Sequence, residues 1–155
     1  MTPTQGPAED PIETPCQQQR NGQISTLDGI ASWGGYLCDA LTAIKGEVEA
    51  QAQRWCGQDQ QGPCCGQYSQ LLDQLNRHHE TVLGFQTDVD SIRAEIAAVD
   101  CFAEGWQSRL VGTQGRLDSL HLATNLLYDA LTSFRLERDR LATACVQAVA
   151  PPPPM

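Results

Sequence analysis

Positive charge is scarce in this sequence, which has Lys45 as its single lysine and a formal net charge of -9. A nucleic-acid-binding protein needs a clustered basic surface to displace counterions from phosphates. The short basic run of Arg135, Arg138 and Arg140 is interleaved with acidic residues, and this alternation is typical of a solvated helix face. We therefore expect no nucleic-acid partner.

Long apolar segments are also missing. No stretch approaches the roughly 20 apolar residues needed to span a bilayer, so we expect no membrane span. The first residues, MTPTQGPAEDPIETP, are acidic and proline-rich. They have neither the basic nor the apolar region of a secretory signal peptide, and the starting methionine agrees with the expectation that nothing has been cleaved.

Known catalytic motifs are absent as well. The sequence contains no phosphate-cradling glycine loop, no H-E-x-x-H and no G-x-S-x-G, the patterns that place phosphate-binding amides, zinc ligands or an activated serine. We expect a non-enzymatic protein with no catalytic residues and no cofactor.

Cysteine is abundant by contrast, with seven in 155 residues. Disulfides persist in oxidising compartments, where they compensate for small cores, yet the sequence shows no export signal. Three settings resolve this conflict. The cysteines bind a metal, they stay reduced in the cytoplasm, or the chain reaches an oxidising exterior without a secretory signal, as in a virus particle released by lysis.

The chain divides into proline-rich ends and a helical centre. Proline fixes φ and blocks helix propagation. The regularly spaced Pro3, Pro7, Pro11 and Pro15 therefore predict an extended arm over residues 1–21. Four consecutive prolines predict a non-helical tail over residues 149–155. Residues 22–148 form the predicted helical domain.

Helical periodicity fills this central domain. The first helix is predicted from about Thr26 to Trp55, because its apolar residues recur every three or four positions. A loop is predicted at GQDQQG, residues 57–62, and Pro63 suits the first turn of a new helix. From Cys64 to Cys145 the apolar stripe continues in alternating steps of three and four residues, the pattern of coiled-coil packing. The predicted fold class is all-α.

Residues 63–148 form either one helix or two. A single helix would be roughly 125 Å long, and partner subunits would have to cover most of it. The favoured break is VGTQG, which contains Gly112 and Gly115, and a weaker candidate is Gly105. We favour an antiparallel three-helix bundle. The alternative is an oligomeric helical hairpin with one very long second helix.

The cysteine positions support the bundle. Tight turns near residues 60 and 113 would bring cysteines level with one another in pairs, although a disulfide also needs Cα atoms within about 7 Å. The expected disulfides are Cys16 with Cys101, Cys38 with Cys145, and Cys56 with either Cys64 or Cys65.

Metal binding and catalysis are the alternatives to these structural roles. Zinc sites usually use cysteine pairs separated by two to four residues, whereas Cys64 and Cys65 are adjacent, and the His78-His79 pair lies about 20 Å further along the helix. His78 falls on the apolar stripe, where polar residues more often set the helix register. We therefore expect no metal ligand and no catalytic histidine.

Several large apolar residues fall away from the stripe and are candidate interface residues. Trp33 and Tyr36 lie beside the Gly34-Gly35 pair, which is expected to mark close approach of another backbone. Leu122, Leu126 and Leu136 widen the apolar face of the last segment. In a lone hairpin these leucines would be exposed, so they favour a third helix or a partner subunit.

This combination of helical stripes, proline-rich ends and acidity fits an assembly component better than an enzyme. The favoured function is a structural protein of a large particle, such as a virion capsid, neck or tail accessory that binds neighbouring subunits or itself. The alternatives are a secreted or surface helical interaction module stabilised by disulfides, and a cytoplasmic coiled-coil adaptor. The favoured location is accordingly a virion or the extracellular space.

Overall fold

The computed structural model of the chain describes residues 12–58 and 62–149 and shows three long helices packed against each other. The helices are α1 (Pro15–Gln58), α2 (Pro63–Ala97) and α3 (Trp106–Val149). No strand occurs within these described ranges. The predicted all-α class and the three-helix architecture are confirmed, and the single long second helix is excluded.

Contacts between the helices give their directions. Gln23 contacts Leu110 and Glu47 contacts Arg138, so α1 and α3 run parallel. A salt bridge of 2.6 Å joins Asp28 in the first half of α1 to Arg93 near the end of α2, and Cys56 near the end of α1 is bonded to Cys65 at the start of α2. These two helices are therefore antiparallel. The chain therefore runs up, down and up, as short connections between long helices require.

The start of α1 differs from the predicted arm over residues 1–21. The helix begins at Pro15, because Thr14 and Gln17 cap it reciprocally. The Gln17 amide donates to Thr14 Oγ1 at 3.2 Å, and the Thr14 amide donates to Gln17 Oε1 at 3.0 Å. This arrangement is a capping box, and Pro15 occupies the first helical position, where its missing N–H costs nothing. Residues 1–11 and 150–155 lie outside the described part.

The first connection is shorter than the predicted loop over residues 57–62, because α1 continues to Gln58. Residues 59–61 of that loop lie outside the described part, whereas the predicted start of a new helix at Pro63 is confirmed. Helix α2 begins at Pro63, and Gly62 precedes it in an extended conformation with φ -74° and ψ 154°. Proline suits this position because its fixed φ matches the helix and no donor is lost.

The second connection corrects the sequence interpretation. The chain turns between Ala97 and Trp106, whereas Gly112 and Gly115 lie inside α3. Asp100 organises the turn by accepting the Phe102 amide on Oδ1 at 2.9 Å. Gly105 has φ +82°, a left-handed conformation that favours glycine. The weaker candidate at Gly105 is therefore right, and the favoured break at VGTQG is wrong.

A continuous apolar core fills the seam between the helices. Its fully buried side chains come from all three helices and include Leu27, Leu37, Val48, Tyr68, Val89, Ile92, Leu117, Leu127, Leu131 and Leu141. At Gly34 the closest approach is made by the ring of Phe85, a side chain and not the expected second backbone. A smaller cluster of Cys16, Val99 and Leu110 closes the end of the bundle near the second connection.

A buried polar contact fixes the register of α1 against α3. Thr113 donates to Gln23 Oε1 at 2.5 Å, and Gln23 Nε2 donates to the carbonyl oxygen of Leu110 at 2.8 Å. Both polar side chains are buried. Because a buried polar group without a partner costs about 1–3 kcal/mol, sliding α1 along α3 by one turn is unfavourable.

Candidate functional site

Three disulfides cross-link the bundle, one at one end and two at the other. Cys16 pairs with Cys101 at the end where α1 begins, with a Cα–Cα distance of 5.5 Å. At the other end, Cys56 pairs with Cys65, which resolves the choice between Cys64 and Cys65. The pair of Cys16 with Cys101 is the one expected from a turn near residue 60, which places these two cysteines at the same level of the bundle.

The third disulfide joins Cys64 to Cys145, and the expected pair of Cys38 with Cys145 is wrong. The turn between α2 and α3 lies about ten residues earlier than the break assumed at VGTQG. When the turn of an antiparallel helix pair shifts, the residue that lies opposite a given position shifts by twice as many residues. The earlier turn therefore brings Cys145 to the end of the bundle beside Cys64. Cys38 is instead a free, buried thiol.

Burial raises the pKa of the Cys38 thiol, and the neighbouring Asp39 carboxylate adds to the effect. The thiolate is the nucleophilic form of cysteine. Cys38 is therefore a packing residue of the core, where it contributes a small apolar side chain.

The residues considered for zinc have other roles in the structure. Cys56, Cys64 and Cys65 are all bonded in disulfides. His78 is half-buried and packs edge-on against Phe134, with ring centroids 5.4 Å apart. Over residues 12–58 and 62–149, no three histidine, cysteine or acidic side chains lie close enough together to hold a metal ion.

Exposed aromatic rings form one surface cluster, here named the aromatic patch, which consists of Trp33, Tyr36 and Tyr128. Trp33 stacks on Tyr36 with ring centroids 5.5 Å apart, and Tyr128 of α3 lies 5.8 Å from Trp33. Each of the three side chains is about half exposed. The sequence placed Trp33 and Tyr36 off the stripe, and the structure adds Tyr128 from the neighbouring helix.

The α3 outer face is the second exposed apolar surface. Leu122 and Leu126 are each 60% exposed, and Leu136 is 67% exposed. The three-helix fold leaves these leucines of α3 uncovered, because they point away from α1 and α2. They are joined on the same face by small and polar residues, all exposed: Gly112, Gly115, Ser119, Asp129 and Ser133.

A shallow groove of about 480 Å³ lies between α1 and α3 near the Cys64–Cys145 disulfide. Trp55 and Tyr68 form part of its wall, and the guanidinium of Arg54 lies 5.3 Å from the centre of the Trp55 ring. Such a cation–π contact is worth about 0.5–1 kcal/mol at an exposed site. Arg138, also in the wall, is paired with Glu47 at 3.0 Å.

Exposed apolar side chains are common to the aromatic patch and the α3 outer face. In the part of the chain that the structure describes, no helix has an apolar stretch long enough to cross a membrane. Comparison of the chain with protein-family models, with curated proteins and with solved structures found no match.

Proposed function

We propose that this chain is a non-enzymatic structural protein of a larger assembly and binds neighbouring protein subunits through its exposed helical faces. The observation that carries this proposal is the α3 outer face, where Leu122, Leu126 and Leu136 lie opposite the core of the bundle. Clustered exposed leucines cost solubility without adding to the stability of the monomer, and they commonly mark protein interfaces.

The aromatic patch supports the same function from a different side of the bundle. Tryptophan and tyrosine are enriched at protein interfaces because a large apolar ring carries a polar group at its edge. Trp33 and Tyr36 are already stacked on each other, so they lose little side-chain freedom when a partner covers them.

Cross-links at both ends make the bundle a stiff rod of about 65 Å, the length of a 44-residue helix. Disulfides of this kind persist outside reducing compartments. We therefore favour a virion component, such as a capsid, neck or tail accessory protein, which oxidises after the particle is released.

Gradient sedimentation of the full chain from the cells that produce it tests this function. We expect the wild type to sediment with large particles at a fixed ratio to their other proteins. The Leu122→Glu/Leu136→Glu variant should remain folded but sediment as a small protein. The matched control is Leu83→Glu, which changes an equally exposed leucine on α2, and it should stay with the particles. Small-protein sedimentation of the wild type would contradict the proposal.

An exported helical interaction module is the second candidate, because the disulfides fit that setting equally well. It predicts oxidised chain free in the medium, outside any particle. A cytoplasmic adaptor predicts seven free thiols when native material is unfolded and alkylated, one for each cysteine of the sequence.

A further inference from the structure

We propose that the α3 outer face pairs with the same face of a second copy of this chain, as an antiparallel two-fold coiled coil. Leu122 of one copy then lies opposite the partner's Leu126, and by symmetry Leu126 lies opposite the partner's Leu122. This inference rests on the proposed function, since it names the first neighbour that the face binds.

The spacing of the face is the first argument. Its residues follow one another in alternating steps of four and three, which is the spacing of a coiled-coil seam. In order they are Gly112, Gly115, Ser119, Leu122, Leu126, Asp129, Ser133 and Leu136. The core of the monomer uses a different stripe of the same helix, which includes Leu117 and Leu131. Helix α3 therefore carries two seams, and the monomer covers one of them.

Two glycines on this face provide the second argument. Glycine inside a helix costs about 1 kcal/mol relative to alanine. A Cβ atom added to Gly112 or Gly115 would meet nothing within 4 Å in the chain's own fold. The monomer thus gives no packing reason for either glycine. A large side chain of a second helix can occupy the space above Gly112, and in the proposed register that side chain is the partner's Leu136.

Charge gives the orientation. In a parallel dimer Asp129 would face the partner's Asp129 across the seam, and like charges in direct opposition are unfavourable. The antiparallel arrangement places Asp129 opposite the partner's Ser119, whose hydroxyl can donate to the carboxylate. It also opposes Ser133 to the partner's Gly115, so that two small residues allow the helices to approach closely.

Charges beside the seam agree with the same register. Arg109 then lies next to the partner's Glu137, and the two-fold axis repeats this pair at the other end of the contact. Arg109 forms no salt bridge within the described ranges, whereas Glu137 contacts Arg140 one turn further along α3. The paired stretch from Arg109 to Arg140 is about 46 Å long. Moving the register by one heptad would place Asp129 against the partner's Leu126 in one direction or the partner's Gly112 in the other, and either shift would separate both charge pairs.

Charge reversal tests the register directly. Sedimentation equilibrium of the oxidised full chain, up to high micromolar concentration, should show a monomer–dimer equilibrium. Arg109→Glu and Glu137→Arg should each raise the Kd about 10-fold, because each places like charges together at both ends. The double variant R109E/E137R should return to within about 3-fold of the wild-type Kd. Arg135→Glu has the same charge change but lies off the face, and it should leave the Kd unchanged.

A glycine substitution separates folding from pairing. Gly112→Gln should raise the thermal stability of the monomer, because glutamine is the better helix former. The same substitution should weaken dimerisation at least about 10-fold, because it fills the space for the partner's Leu136. A variant that is both more stable and more strongly dimeric would overturn the proposed contact.

The remaining outcomes are equally decisive. A wild type that stays monomeric at all concentrations refutes the self-pairing. A dimer in which R109E/E137R fails to restore the affinity refutes this register. In either case the proposed function stands if the chain still sediments with large particles in a Leu122- and Leu136-dependent manner, because another protein then covers the face. Loss of that sedimentation would refute the function itself.

Discussion

Gly34 and Gly35 are adjacent in α1, but only Gly34 faces the core. A Cβ atom added at Gly34 would lie 2.6 Å from Cε2 and 2.7 Å from Cε1 of Phe85, well inside van der Waals contact. At Gly35 the added atom meets nothing within 4 Å. Substituting alanine at each position therefore compares the same chemical change in two environments, one residue apart.

The two substitutions should change stability in opposite directions. Replacing glycine by alanine inside a helix stabilises the fold by about 1 kcal/mol, and we expect this full gain from Gly35→Ala. Overpacking a core typically costs about 1–3 kcal/mol, occasionally more. The Phe85 ring is 4% exposed and lies within the core cluster, so it has little room to move away. The upper part of that range, about 2–3 kcal/mol, therefore applies. Less the helix gain of about 1 kcal/mol, Gly34→Ala should lower the free energy of unfolding by about 1–2 kcal/mol.

Urea unfolding with the disulfides intact, followed by far-UV circular dichroism, measures both effects. An unchanged dependence on urea concentration would show that the variants differ in stability alone. Gly34→Ala combined with Phe85→Leu should recover part of the loss, because the smaller side chain leaves room for the added methyl group. A Gly34→Ala variant as stable as Gly35→Ala would refute the close packing of Phe85 on α1.

Four further predictions concern a disulfide, the free thiol of Cys38 and the buried polar contact. Cys16→Ser/Cys101→Ser opens a loop of 85 residues and should lower the free energy of unfolding by about 2–5 kcal/mol in chemical denaturation. Native protein should take up no alkylating reagent at Cys38 near neutral pH, because burial raises the pKa of this thiol; one label should enter after unfolding and seven after reduction. Because the folded pKa is above the unfolded one, Cys38 should reduce stability as pH rises past the ordinary thiol pKa, and Cys38→Ala should flatten that slope. Thr113→Val leaves Gln23 Oε1 without its donor and should cost about 1–3 kcal/mol in urea unfolding; no measurable loss would exclude the contact as a register device.

Much of the fold follows from periodicity. The apolar spacing predicts helices throughout residues 63–148, and Pro63 marks the start of α2 as observed. The level matching of Cys16 with Cys101 depends only on the first turn, and the structure confirms it. These features follow from local rules that need no knowledge of the neighbouring helices.

The position of the second turn could not be predicted from local sequence rules, because it depends on packing between the helices. Gly112 and Gly115 have the lowest helix propensity after proline, and this favours a break between them. The packing of Leu110 and Leu117 against the other helices overrides that preference. The observed turn depends on the carboxylate of Asp100 and the positive φ of Gly105, a weaker pattern in sequence. The wrong pairing of Cys145 follows from this single error.

The candidate surfaces were predictable in part. Positions off the stripe identified Leu122, Leu126 and Leu136, and the structure places all three on the surface. Their binding role stays a prediction. Tyr128 joins the aromatic patch because α1 and α3 run parallel, which no spacing within one helix could indicate. The capping box of Thr14 and Gln17 was not predicted, because the surrounding prolines favoured an extended arm over residues 1–21.

The adjacent cysteines Cys64 and Cys65 bond to different helices, Cys65 to Cys56 of α1 and Cys64 to Cys145 of α3. Together with the bond between Cys16 and Cys101, they make the loops closed by the disulfides overlap. A single peptide-bond cleavage anywhere between Cys16 and Cys145 therefore releases no fragment, since at least one sulfur bridge still spans the cut. A protease that cleaves either interhelical connection once leaves two chains that are still joined by disulfides. They separate only when a reductant is added.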